Sequence, residues 1–293
     1  MIHLAAASEL VGTSLGDVEV CVTGGRRGTV LFFPGGHCAA TVDCGCESYT
    51  RLGYRVVAFS RPGYGRTRVG DLTAARFVPA VDEVCAELGI SAVAAVVGVS
   101  FGGLQALHVA ASGSVRPARL VLHSAAPSTL RYPDSAGRRA LGPVLFGPRA
   151  ERGLWSAVSR AVATDAGLRM AAGSLSRLPA SAWWPTWSPE DRGRARAAFL
   201  AMGSGSGFAA DLRQGRPDDD GARHTLLRRV SCPTLVTGSR HDGGVDFAHA
   251  LDLAEHIDDA RLAELDSPTH LFWVGPHAAQ VHRAVQGFMC ECL

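Results

Sequence analysis

The chain has 293 residues, 47% of them hydrophobic, and its 29 basic and 27 acidic side chains leave a formal charge of +2. A length of this order buries one large core, or one core carrying a sizeable insertion, and so balanced a charge gives no electrostatic argument for nucleic acid. Lys and Asn are absent, with the composition of a GC-rich bacterial genome, which excludes a Schiff-base lysine, a P-loop lysine and N-glycosylation.

Residues 1–17 contain neither a basic n-region nor a sustained apolar run. No segment approaches the roughly 20 apolar residues of a membrane span, so a soluble cytoplasmic protein is expected. Apolar runs bounded by turn residues predict strands at 17–23, 29–33, 54–59, 93–99, 119–123, 234–238 and 261–265. Helical spacing marks 72–88, despite Pro79, and then 101–112, 246–257 and 277–289. Strands alternating with helices predict an α/β class with a mostly parallel sheet, covered on both faces, whose site lies at the carboxyl ends of the strands.

Residues 128–220 break the alternation with Pro, Gly and Arg-rich connections and helix-like runs at 153–164 and 189–202. The expected organisation is a core domain of 1–127 and 221–293 with a helical cap inserted over 128–220. Within the cap, Arg192-Gly193-Arg194-Ala195-Arg196 reads as solvated helix surface. Trp183, Trp184 and Trp187 either line an apolar substrate pocket or pack the cap on the core. Cys21, Cys85 and Cys232 sit in apolar contexts and read as buried thiols, while Cys44-Gly45-Cys46 and Cys290-Glu291-Cys292 lack the spacing of zinc modules. No metal or other cofactor is expected.

The chemistry concentrates at Gly98-Val99-Ser100-Phe101-Gly102-Gly103, directly after a predicted strand and before a predicted helix. A strand entering a helix through a very sharp turn exposes the central side chain, and only small residues two positions to either side permit the close approach. Ser100 is therefore the candidate nucleophile, and the amide of Phe101, at the helix start, is a candidate oxyanion donor. A serine hydroxyl needs a base, and that base needs an orienting carboxylate. Asp242 lies in the turn after strand 234–238 and His270 in the loop after strand 261–265, in the chain order Ser, Asp, His that this topology requires. His241 and His277 compete with His270, and Asp246 and Asp266 with Asp242.

On these segments the chain resembles the α/β-hydrolase superfamily, in its cap-bearing serine hydrolase branch. Ser60-Arg61-Pro62-Gly63-Tyr64-Gly65-Arg66-Thr67 is similar to that branch's D-R-P-G-Y-G-x-S loop, with Ser60 in place of the usual Asp. Pro233-Thr234-Leu235-Val236-Thr237-Gly238, running on to Asp242, resembles the strand and acid turn, and Pro268-Thr269-His270 the histidine loop. The resemblance implies the α/β-hydrolase fold with an inserted helical cap. It implies Ser100 as nucleophile, His270 as general base and then acid, and Asp242 as its orienting partner. In the oxyanion loop Phe33-Pro34-Gly35-Gly36-His37-Cys38, Pro34 replaces the family's usual His, and Gly36 becomes the expected second donor beside Phe101. His37 is a candidate polar contact for substrate.

The leading expectation is a serine hydrolase acting on a small-molecule carbonyl substrate, a carboxylic ester first, through an acyl-enzyme. An acyltransferase or cyclase would pass the acyl group to another acceptor, and a C–C bond hydrolase would use the same triad. A non-catalytic binder would retain only the fold. An aminopeptidase would need acids in the cap, for which Glu190 and Asp191 are nominal candidates that read equally well as a helix start after Ser188-Pro189.

Overall fold

The computed structural model describes residues 8–134, 137, 150–215 and 220–291. Its strands are β1 (Ser8–Thr13), β2 (Gly16–Gly24), β3 (Thr29–Phe33), β4 (Arg55–Phe59), β5 (Val93–Val99), β6 (Leu120–His123), β7 (Thr234–Gly238) and β8 (Ala260–Glu264). They form one sheet in the order β1-β2-β4-β3-β5-β6-β7-β8. The β1–β2 and β2–β4 pairs are antiparallel and every other pair is parallel. This is the α/β-hydrolase fold expected from the motifs. All seven predicted strands form, and β1 is an eighth that the pattern did not mark. It pairs on one side only, from Ser8 opposite Cys21 to Thr13 opposite Gly16. Val11 is its only fully buried side chain, too little apolar signal to mark a strand.

Parallel strands covered on both faces alternate their side chains between two cores. In β3, Leu31 and Phe33 join one apolar cluster with the helices Ala74–Glu87 and Gly102–Ser112, while Val30 and Phe32 join the other with Val281, Val285 and Phe288 of the helix Ala278–Cys290. Pro79 is accommodated inside Ala74–Glu87, whose N-cap Thr73 accepts from the Arg76 amide.

Between β6 and β7 the predicted helical runs appear as Glu151–Val162 and Pro189–Ala201. The helices Asp165–Gly173, Gly207–Gln214 and Asp220–Arg228 were not anticipated. The Arg run is not a solvated face. Arg192 and Arg196 hold Asp165, and Arg194 reaches Asp43 at 3.2 Å and Glu47 at 3.1 Å, tying the helix Pro189–Ala201 to the segment after β3. Sequence alone shows a run of three arginines; only the fold shows that the acids answering it come from elsewhere in the chain. Cys21 and Cys85 are buried as expected, Cys232 is half-buried, and Cys292 lies outside the described residues.

The serine at position 60 has a compensation. Its hydroxyl donates to Glu19 Oε2 at 2.7 Å and accepts from the Ala40 amide at 2.8 Å. Glu19, on β2, also receives the Arg66 amide at 2.9 Å, the Arg66 Nε at 3.0 Å and the Ser8 hydroxyl at 2.7 Å. The carboxylate missing from the loop is supplied by a neighbouring strand. Burial would raise the Glu19 carboxyl, but the hydrogen bonds from the Arg66 amide, Ser8, Ser60 and the Arg66 side chain outweigh it and hold the group below its usual range. A depressed native pKa stabilises the fold above the unfolded-state value of about 4.3, and that contribution disappears as acid protonates the native carboxyl. Glu19→Gln is therefore expected to lose about 1 kcal/mol at pH 7, with the difference from wild type shrinking below about pH 4. Urea titrations at the two pH values check this; a difference that does not change with pH would contradict it.

Candidate active site

Ser100 follows β5 with φ of +50°, a left-handed conformation that a non-glycine residue holds only when its surroundings impose it. Its amide donates to the His123 carbonyl at 3.0 Å, and its carbonyl accepts from Gly103 at 2.9 Å and Ala126 at 3.1 Å. The glycines around it admit no side chain. A Cβ at Gly98 would stand 2.6 Å from the Gly102 oxygen, one at Gly102 would stand 2.0 Å from the Phe33 oxygen, and one at Gly103 would stand 2.5 Å from the Ala125 Cβ. This is the sharp strand-to-helix turn with obligatory small neighbours that the sequence pattern predicts.

Asp242 is buried in the turn after β7. Its Oδ1 accepts from the Gly244 amide at 2.7 Å and the Val245 amide at 3.0 Å, and its Oδ2 accepts from His270 Nδ1 at 2.8 Å. With Nδ1 as the donor, the second ring nitrogen of His270 carries the lone pair. The ring lies close against Gly244, where a Cβ would come within 2.7 Å of its Cγ. The carbonyl of Leu175, from the helical segment, accepts from both the His270 amide at 2.9 Å and the Gly243 amide at 3.0 Å, so one oxygen fastens the histidine loop to the acid turn.

The competing residues have other partners. Asp246 is the N-cap of the helix Phe247–His256, accepting from Ala248 at 2.9 Å, and Asp266 exchanges hydrogen bonds with Gln280. His277 sits at the start of the last helix, and the backbone of His241 is held by Ser239 and Arg177. Asp191 forms a capping box with Ser188, and its Oδ1 receives the Gly275 amide at 3.0 Å. Glu190 lies in the first turn of the same helix.

Ser100, Phe101, Gly35, Gly36, His37 and His270 share the wall of one cavity of about 620 Å³. Gly35 faces Ser100 directly, its Cβ position lying 3.1 Å from the serine Cβ, while Gly36 packs under Phe208 and Phe101. His37, at φ +65°, stacks on Phe208 with centroids 3.8 Å apart, and its Nδ1 meets Ser204 Oγ at 2.7 Å. Burial, with Arg61 adding to it, pushes its pKa down to about 3, so it is neutral at pH 7.

Trp183, Trp184 and Trp187 do not line this cavity. They pack on one another, with centroids 4.9–6.1 Å apart, inside the apolar cluster beneath the last helix, which corrects their candidacy as pocket residues. The tryptophans that do line it are Trp155 and Trp273. Isolated in sequence, they carried no cluster signal. Among the described residues the cavity wall has no Asp, Glu or Arg, so neither Glu190 nor Asp191 is available to a bound amine.

Comparison with known proteins agrees with this fold. Residues 30–284 match the model of the alpha/beta hydrolase family. The chain is 33% identical over 284 residues to the uncharacterized hydrolase YcgS of Bacillus subtilis (strain 168), covering 94% of this chain and 95% of that protein. Among solved structures, an alpha/beta hydrolase fold protein from Nakamurella multipartita is similar with a TM-score of 0.71 at 23% identity, over 97% of this chain and 99% of the other. The enol-lactonase from Burkholderia xenovorans LB400 has a TM-score of 0.70 at 19% identity, over 97% and 100%. A thermophilic esterase from Thermogutta terrifontis has a TM-score of 0.67 at 20% identity, over 97% and 98%. A family match over residues 30–284 and a relative similar along nearly the whole chain, on an eight-stranded, mostly parallel sheet, make this chain a member of the alpha/beta hydrolase family.

Proposed function

We propose that the protein is a serine hydrolase of uncharged esters with an apolar acyl group. The observation that carries this reading is the His270–Asp242 hydrogen bond of 2.8 Å at a cavity that also holds Ser100. Ser100 Oγ attacks the ester carbonyl while His270 Nε2 takes its proton, and the buried Asp242 stabilises the imidazolium. The tetrahedral oxyanion is met by the amides of Phe101 and Gly36. His270 returns the proton to the leaving alkoxide, leaving an acyl-Ser100 that water, activated by the same histidine, resolves. Residues 128–220 act as a cap whose helices supply much of the apolar wall, including Leu154, Trp155, Phe199, Met202, Phe208 and Leu212. A wall without described charged side chains favours a neutral substrate over an amino acid, an acidic acyl chain or a peptide with a free amine. The esterase and enol-lactonase among the structural neighbours are named for carbonyl chemistry of this kind.

The test pairs a series of p-nitrophenyl esters of increasing acyl length with a fluorophosphonate probe. Rates are expected to rise with acyl length until the cavity is filled, to be far lower for a succinyl ester, and to be absent for aminoacyl anilides. Peptide mapping is expected to find the label on Ser100 and to find none in His270→Ala. A label on another serine, or a preference for charged acyl groups, would overturn the reading.

A further inference from the structure

The loop between β4 and the helix Ala74–Glu87 contains a buried guanidinium that the mechanism above does not use. Arg61 Nε donates to the Pro34 carbonyl at 3.0 Å, and its Nη2 donates to the Gly35 carbonyl at 3.1 Å. The other face of the same fork is paired with Asp211, Nη1 to Oδ1 at 2.6 Å and Nη2 to Oδ2 at 2.8 Å. Asp211 lies on the helix Gly207–Gln214 of the segment between β6 and β7, and Oδ2 also accepts from the Tyr64 hydroxyl. Arg61 and Asp211 are each 5% exposed, and Tyr64 is fully buried beneath the guanidinium, which stands 4.7 Å above its ring.

Building on the serine hydrolase reading, we propose that Arg61 is a positioning residue for the oxyanion donors and that Asp211 couples their alignment to the helix Gly207–Gln214. Both peptides involved are trans, so in each the N–H points opposite to the C=O. A fork that draws the carbonyls of Pro34 and Gly35 to itself turns the amides of Gly35 and Gly36 the other way. Gly35 and Gly36 line the cavity and Arg61 does not. The amides are thereby fixed before substrate arrives, which is what makes a donor effective against charge that develops only in the transition state. Lysine has one ammonium and no fork, and could not hold two carbonyls and a carboxylate in one plane. The same helix presents Phe208 and Leu212 to the cavity. A substrate that seats against these side chains therefore bears on the element that anchors the arginine.

Three variants test this: Asp211→Asn, Arg61→Lys and the milder Tyr64→Phe, which removes one hydrogen bond and leaves the ion pair. Each is assayed with p-nitrophenyl butyrate and with binding of an alkyl trifluoromethyl ketone, whose serine adduct needs the oxyanion donors. The matching secondary alcohol, which cannot form that adduct, serves as the reference ligand. Asp211→Asn and Arg61→Lys are expected to lower kcat and trifluoromethyl ketone affinity together, by 10- to 100-fold, with KM and alcohol affinity within twofold of wild type. Tyr64→Phe is expected to shift the same two quantities by two- to fivefold, and it keeps the test open if the charge variants do not fold. Loss through KM alone, or unchanged kcat in all soluble variants, would overturn the proposal while wild-type turnover and Ser100 labelling leave the hydrolase reading intact. A wild type that neither turns over nor labels would instead remove the hydrolase reading itself.

Discussion

Replacing Ser100 with alanine is expected to abolish ester turnover, by about 10⁴- to 10⁶-fold, with no loss of thermal stability. The rate falls because, among the described residues of the cavity wall, Ser100 is the hydroxyl that the proposed mechanism places with the histidine held by Asp242. The fold is untouched because alanine meets the same backbone demand at φ +50°, and the hydrogen bonds at position 100 that fix the turn are made by the main chain. Glycine at the same position makes the companion measurement. It too removes the nucleophile, but it relieves the left-handed strain and is expected to raise Tm, the strain being of order 1 kcal/mol. Residual activity within tenfold of wild type in either variant would move the nucleophile elsewhere.

Asp242→Asn is expected to reduce kcat by about 10³- to 10⁴-fold, less than the loss from removing the nucleophile. Asparagine can still accept from the Gly244 and Val245 amides through its oxygen, as Oδ1 now does, but it then turns its NH₂ toward His270. The imidazole must answer with the lone pair of Nδ1, which leaves its proton on Nε2 and makes it useless as a base. Asp246→Asn is the control. Asn caps a helix as well as Asp does, so the change removes only the largely exposed ion pair with Arg177 and is expected to cost no more than about 0.5 kcal/mol of stability with near-normal kcat. The reverse pattern in the two variants would transfer the acid role to Asp246.

Much of this arrangement was legible in the chain itself because its constraints are local. The elbow needs small residues at fixed offsets, the strand before Ser100 is a continuous apolar run, and Asp242 and His270 each follow a short strand in a turn-rich segment. The legible part ended where partners come from distant segments. Nothing near Ser60 announces that Glu19 will supply the missing carboxylate, and nothing near Arg61 points to Asp211, 150 positions away. The aromatic cluster misled for a related reason. Three tryptophans within five residues look like a binding wall, but their crowding is what fits them to pack on one another, whereas Trp155 and Trp273 reach the cavity singly from separate elements.

The Leu175 carbonyl that fastens the histidine loop to the acid turn bears on how this protein can be recombined with its relatives. Exchanging the helical segment is an obvious route to new specificity, since that segment supplies much of the apolar cavity wall. Here, however, the donor piece would have to reproduce a main-chain oxygen at Leu175, the Arg177 guanidinium on the Asp242 carbonyl at 3.0 Å, and a carboxylate in the place of Asp211. A chimera spliced at the ends of the segment and chosen only for its cavity side chains would deliver a new wall onto a loosened histidine. Exchanging residues on the cavity face one at a time, with those three attachment points kept, is the recombination this architecture tolerates.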